Sequence, residues 1–179
     1  MGGDANRFNV TSQLPALKRY ARSLTRNEAE AEDLVHDTVV LAYEGRDSFR
    51  PDGDLRRWLF AVLHNAFVSR TRRRRSDQAR LDRVAEIQDP EFPPEQEARV
   101  RLSQVRSAFL GLPAEQREVL HLVAIEGVAY GDAAQILNIP VGTLMSRLGR
   151  ARAALRDLEA GDAGKVVPLK LVRGRDGGE

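Results

Sequence analysis

Residues 131–158 read GDAAQILNIPVGTLMSRLGRARAALRDL, and the spacing within them sets how the rest of the chain is read. Gly131 to Leu137 has the pattern of a short helix, Asn138-Ile139-Pro140 that of a tight turn, and Val141 to about Leu158 that of a second, longer helix. Small Ala134 lets two helices approach closely, Leu137 and Ile139 cover the junction, Asn138 tolerates a positive φ, and Leu144 and Leu148 face inward. This is helix-turn-helix spacing. The second helix carries Thr143, Ser146, Arg147, Arg150 and Arg152 and no acid before Asp157. Its N-terminal half therefore suits a DNA major groove, where arginine pairs with guanine edges and with phosphates. A plain helical hairpin with a solvated basic face is the competing reading, and the turn residues and arginines together weigh against it.

Working upstream, Val100, Val105, Phe109 and Leu110 predict a helix that ends at Gly111, and Pro113 opens another through Arg117, Val119, Leu120, Leu122 and Val123. The stretch Asp89-Pro90-Glu91-Phe92-Pro93-Pro94 cannot be regular helix, because each proline removes a donor and restricts its predecessor. A linker is expected there. Before it, Leu55, Trp58, Leu59, Val62, Leu63, Ala66 and Phe67 recur at helical spacing, with Arg56, Arg57, His64 and Asn65 on the polar side and an arginine run to Arg75. The segment Arg46 to Asp54 reads as a loop, with Asp52 or Asp54 capping the helix that follows. Two earlier helices are expected: one along Leu14, Leu17, Tyr20, Ala21 and Leu24, the other from Glu28 to Tyr43 with Asn27 as its N-cap.

The fold class expected is all-α: two small helical domains joined by a flexible linker. A length of 179 residues, with 42% apolar, 30% charged and only 6% aromatic residues, accommodates that and excludes large enzyme folds. There is no cysteine, which removes disulfides, thiolate metal sites and a cysteine nucleophile. His36, His64 and His121 are isolated, with no partner at metal-binding spacing, so neither a metal nor any other cofactor, nor a catalytic residue, is expected. Met1 to Val10 has no signal-peptide pattern and no apolar run is long enough to span a membrane, so a cytoplasmic protein without membrane insertion is expected.

The net charge is only +2, but it is unevenly distributed. Arg26 to Asp37 holds five acids against one base, Arg46 to Arg75 nine arginines against three aspartates, Asp77 to Arg99 seven acids against three arginines, and Val141 to Arg156 four arginines and no acid. Two basic blocks flanking an acidic one suit a chain that grips a polyanion at two places. On the Leu55 helix the arginines could track a phosphate backbone, while Trp58 or Phe60 could stack on an unpaired base; for Trp58 periodicity favours core packing. The acids Glu32, Asp33 and Asp37 with His36 would be out of place against DNA and resemble a protein-docking face, with Leu34, Val35 and Leu41 divided between core and contact.

Four stretches in this order, Ala31-Glu32-Asp33-Leu34-Val35-His36-Asp37-Thr38, Leu55-Arg56-Arg57-Trp58-Leu59-Phe60-Ala61-Val62-Leu63-His64-Asn65, Leu112-Pro113-Ala114-Glu115-Gln116-Arg117-Glu118-Val119 and Pro140-Val141-Gly142-Thr143-Leu144-Met145-Ser146-Arg147-Leu148, resemble an extracytoplasmic-function (ECF) sigma factor of bacterial RNA polymerase. The form of the second and third stretches is most similar to the alphaproteobacterial general-stress-response type. The resemblance implies no reaction of the protein's own. It implies a sigma domain two at 10–75, a linker at 76–98, a sigma domain four at 99–160, and a tail at 161–179 expected to be disordered. It also implies partners: core RNA polymerase through the β′ clamp helices and the β flap, promoter DNA, and an anti-sigma factor.

The resemblance places roles as well. Glu32, Asp33, Leu34, His36, Asp37 and Leu41 would dock on polymerase. Phe49, Asp52, Arg56, Arg57, Trp58, Asn65, Arg72 and Arg73 would capture and hold the melted minus-ten element. Thr143, Met145, Ser146, Arg147, Arg150 and Arg152 would read the minus-35 duplex. Met145 and Gly149 depart from the basic or bulkier residues common at those positions, which shifts weight to Ser146, Arg147, Arg150 and DNA shape. The alternative function is a stand-alone helix-turn-helix repressor or activator, which would dimerise and bind a palindrome unaided.

Overall fold

The structure, a computed structural model, describes residues 8–78 and 97–162. Most of the expected linker and of the expected tail lies outside the described residues. After a 3₁₀ turn at Thr11–Gln13, the elements are α1 (Leu14–Thr25), α2 (Glu28–Glu44), α3 (Leu55–Gln78), α4 (Glu97–Gly111), α5 (Ala114–Leu120), α6 (Tyr130–Ile136) and α7 (Val141–Asp162). A second 3₁₀ turn spans Arg46–Ser48, and α5 runs on into a single π turn at His121–Ile125. No strand occurs among the described residues, as the all-helical expectation requires.

Local chemistry accounts for the boundaries. Arg26, at φ 60°, closes α1, and the Asn27 side chain accepts from the Glu30 backbone N–H to start α2. Of the two candidate caps for α3, Asp54 serves: its Oδ1 accepts from the backbone N–H groups of Arg56 and Arg57 at 2.9 and 3.2 Å. The helix then continues three residues past the expected boundary at Arg75, because Ser76, Asp77 and Gln78 contain no breaker. Asn138 takes φ 51° in the turn between α6 and α7, as its side chain permits.

Helices α1 to α3 enclose one core around Leu17, Tyr20, Leu34, Leu59, Phe60 and Leu63, all buried. Helices α5 to α7 enclose another around Val119, Leu122, Ala133, Leu144 and Leu148. The two units touch. The buried Tyr20 ring packs edge-on to Phe60 at 5.5 Å and stacks on His121 of the second unit at 5.3 Å. Arg117 of α5 reaches across to donate to the Ser23 carbonyl of α1. No helix among the described residues is long and apolar enough to cross a membrane.

Candidate nucleic-acid interface

The helix-turn-helix is built as the spacing predicts. Ala134 is buried at the crossing of α6 and α7, Leu137 and Ile139 cover it, and Leu144 and Leu148 point into the core. This leaves Met145, Ser146, Arg150 and Arg152 exposed along α7, with Thr143 half-buried at its start. Arg147 departs from that row. Its guanidinium turns back onto α5, 2.9 Å from Glu115 and 3.6 Å from Glu118, and only 19% of its side chain is exposed. To contact a base edge its fork would have to leave these two carboxylates, which brace α7 on α5.

The N-terminal end of α3 presents Arg56 and Arg57, and its C-terminal turns present Arg72 and Arg73, about 24 Å further along at 1.5 Å rise per residue. Before α3, Phe8, Tyr43, Phe49 and Trp58 form a surface cluster of four rings with centroid separations between 5.5 and 5.9 Å. Trp58 is thus half-buried in this cluster, neither sealed in the core nor standing free. Phe60 is wholly buried against Tyr20, with the Arg56 guanidinium 5.4 Å over its ring, so it cannot stack on a base. Asp52 and Asn65 are exposed.

The acidic face of α2 is present but partly matched within the chain. Glu30 pairs with Arg74 at 2.9 Å, and Asp33 and Asp37 lie 3.9 and 3.7 Å from Arg70. Glu32 and His36 are exposed, as is Leu41, whereas Leu34 is wholly buried and can only support the face from beneath. Sequence periodicity did not single out Val40 and Tyr43, which are 42% and 55% exposed beside Leu41 and extend the face with apolar surface. The available signal was that they fall outside the helix's core-facing period.

Between the units lies a group of buried titratable side chains that sequence reasoning also missed. Glu126 has a fully buried carboxylate that accepts from Arg19 Nε and Nη2 at 2.9 and 3.0 Å and from Arg56, and lies 3.2 Å from His121 Nε2. Burial opposes its charge, but the Arg19 hydrogen bonds, the His121 ring and Arg56 outweigh it and hold the carboxyl below the usual range. With Nε2 directed at that carboxylate, the His121 Nδ1 is buried without a partner among the described residues, so a second ring proton has nowhere to donate. Burial accordingly pushes His121 down to about 4, against the pull of Glu126. His64, 3.3 Å from the Tyr20 hydroxyl, is also pushed down to about 4 by burial, and Glu118 is pushed up to about 7 by burial despite Arg147. Among the described residues no group of acids and histidines could hold a metal ion.

These features have counterparts in known proteins. Residues 10–64 match the family model described as the Sigma2 domain of PhyR, and residues 102–155 match that of Sigma-70, region 4. The chain is 36% identical over 178 residues to the ECF RNA polymerase sigma factor EcfG of Rhodopseudomonas palustris, which covers 97% of this chain and 98% of that protein. It is 34% identical over 143 residues to the ECF sigma factor SigM of Mycobacterium tuberculosis, covering 79% and 70%. It superposes on the sigma factor RpoE of Bartonella quintana, solved with the anti-sigma factor NepR, with a TM-score of 0.76 at 36% identity over 89% of this chain and 99% of that one. Near-complete coverage of a sigma factor at 36% identity, together with the two family models, means that the chain belongs to the ECF sigma factors of bacterial RNA polymerase, of the alphaproteobacterial type.

Proposed function

We propose the following division of labour for this sigma factor. Residues 10–75 form sigma domain two; 76–98 is the linker, whose first three residues continue α3; 99–160 forms sigma domain four; 161–179 is a tail. Glu32, Asp33, His36, Asp37 and Leu41, supported by Leu34, dock on the clamp helices of the polymerase β′ subunit, and the apolar part of domain four meets the β flap. Phe49, Asp52, Arg56, Arg57, Trp58, Asn65, Arg72 and Arg73 take up the melted minus-ten strand. Extracting a base costs a few kcal/mol, which ring stacking and phosphate contacts at the two ends of α3 offset. Thr143, Met145, Ser146, Arg150 and Arg152 face the minus-35 duplex, with Arg147 holding the helix in register.

The observation that carries this reading is the exposed row along α7 standing on a fully packed turn, in a chain that also bears arginines at both ends of α3. The protein acts in the cytoplasm, without chemistry of its own, on stress-response genes. An anti-sigma factor controls it, as the structure of RpoE with NepR suggests for this chain. A stand-alone repressor is not favoured, since nearly the whole chain aligns with a sigma factor. The test is run-off transcription with purified core polymerase on a pooled promoter library. Factor-dependent starts sharing an upstream motif are expected; failure to bind core, with tight binding to a palindromic duplex, would overturn the proposal.

A further inference from the structure

We infer that sigma domain four is an internal competitor for the minus-ten strand, with Glu126 and Asp132 occupying the arginines of sigma domain two in place of DNA phosphates. This rests on the reading of Arg56 and Arg57 as strand-binding residues and adds a regulation to it.

Four observations converge. Arg19 clasps Glu126 through two hydrogen bonds, and Arg56 binds the same carboxylate. Next to it, Arg57 donates to Asp132 Oδ1 and to Gln135 Oε1, both at 2.6 Å, from the first helix of the helix-turn-helix. A carboxylate chelated by guanidinium forks presents the same charge and acceptor geometry as a backbone phosphate. Arg57 has both Nη atoms engaged, by Asp132 and Gln135, and Arg56 has its Nη2 on Glu126, so a phosphate must displace these pairs to take the same donors.

Second, Glu126 is paired mainly outside its own unit. With the two units together its side chain is wholly buried, and among the described residues its own unit supplies His121 as a partner while the other unit supplies Arg19 and Arg56. The residue therefore stabilises the packed arrangement specifically. Third, the arrangement is anchored elsewhere, by the Tyr20–His121 stack and by Arg117 on the Ser23 carbonyl, so the carboxylates are held in place over α3. Fourth, the superposition on RpoE spans both units. In that relative the arrangement is seen with an anti-sigma factor; here the chain's own side chains hold it.

The chain has no cysteine, so Ser69→Cys and Arg156→Cys, at exposed positions of α3 and α7, can carry a pair of nitroxide labels without background. Pulsed-dipolar distances are measured on the full chain and on its Glu126→Ala and Asp132→Asn variants, together with affinity for a fluorescent single-stranded oligonucleotide of mixed sequence. Asp132 is 39% exposed, so its variant tests the clasp without disturbing the buried pocket. The inference expects a short, narrow distance that broadens and lengthens in Glu126→Ala, with single-strand affinity rising roughly tenfold, and a smaller rise of about threefold in Asp132→Asn. Unchanged distances with unchanged affinity in both variants would overturn it. Opening without a gain in affinity is resolved by adding Arg56→Ala. If affinity then falls, Arg56 binds the strand but domain four does not mask it. If affinity does not move, Arg56 is not a strand-binding residue, and the underlying reading fails with the inference.

Discussion

Arg117 offers the sharpest test of how the two units are held. It is 3% exposed, and no carboxylate lies within ion-pairing distance of it among the described residues. Instead its guanidinium donates to the Ser23 carbonyl in the last turn of α1, and to the Leu110 and Leu112 carbonyls at the end of α4, at 3.2 and 2.6 Å. These are the orphan acceptors at two helix C-termini, where the dipoles also favour a cation. Burial, with Arg26 nearby, pulls its pKa down to about 10, so holding the charge here costs about 3 kcal/mol at 1.36 kcal/mol per unit. Three hydrogen bonds from a charged donor return about 5 kcal/mol. Arg117→Met loses the second and recovers the first, for a net loss of about 2 kcal/mol, or about 1 M in urea midpoint for a slope near 2 kcal/mol/M. Arg117→Lys keeps the buried charge, but a single ammonium cannot stand at both the Ser23 and the Leu110–Leu112 positions, so it should be less stable than Arg117→Met. Urea unfolding of the full chain followed by circular dichroism decides this. If lysine is the milder change, the residue serves as a charge and not as a fork, and the reasoning is wrong.

Other outcomes follow from the same geometry. Between pH 6.5 and about 4 the unfolded chain binds protons that buried His64 and His121 refuse, whereas between 4.5 and about 7 folded Glu118 holds one that the unfolded chain has lost. The net uptake on unfolding near pH 5.5 is roughly one proton, so stability should fall about 1.3 kcal/mol per pH unit on acidification, and a flat pH profile of unfolding would contradict these assignments. Asp33→Arg should weaken binding to core polymerase by about tenfold while leaving duplex binding by domain four intact, as measured by core pull-down and mobility shift; at 71% exposure and 3.9 Å from Arg70 it contributes little to stability. Arg150→Ala should flatten discrimination among minus-35 sequences, whereas Arg147→Ala should lower affinity for all of them alike; the reverse pattern in a binding selection would restore Arg147 as a base reader.

Most of the fold was legible because its signals are local. The Asn27 cap, the Asn138 turn and the spacing of Leu144 and Leu148 each act within a few residues. What escaped is long-range. Glu126 meets Arg19 and Arg56 across 107 and 70 residues, and a single acid in the run His121-Leu122-Val123-Ala124-Ile125-Glu126 carries no spacing that distinguishes it from a solvated one. The partners of Arg147 were hidden for a related reason. Its place in a basic row suggested DNA, but the row winds around α7, and at that angle the nearest charges are Glu115 and Glu118. Phe60 and Trp58, two residues apart on one helix, part company in the same way, one sealed against Tyr20 and the other left in the surface ring cluster.

The charge pattern takes on a different meaning once partners are assigned. The basic block on α3 reads in sequence as a bare patch waiting for a polyanion, yet Arg56 and Arg57 are matched by the second unit, and Arg70 and Arg74 by α2. On the proposed reading, binding a promoter strand at the N-terminal end of α3 is an exchange, in which phosphates displace carboxylates, and only the difference between the two sets of pairs contributes to affinity. At the exposed Arg72 and Arg73 no such exchange is needed. Counterion release, and with it the steep salt dependence of phosphate binding, should therefore be concentrated at the C-terminal end of the helix. The same reading leaves specificity to the end near Trp58, where the strand would first have to replace the second unit.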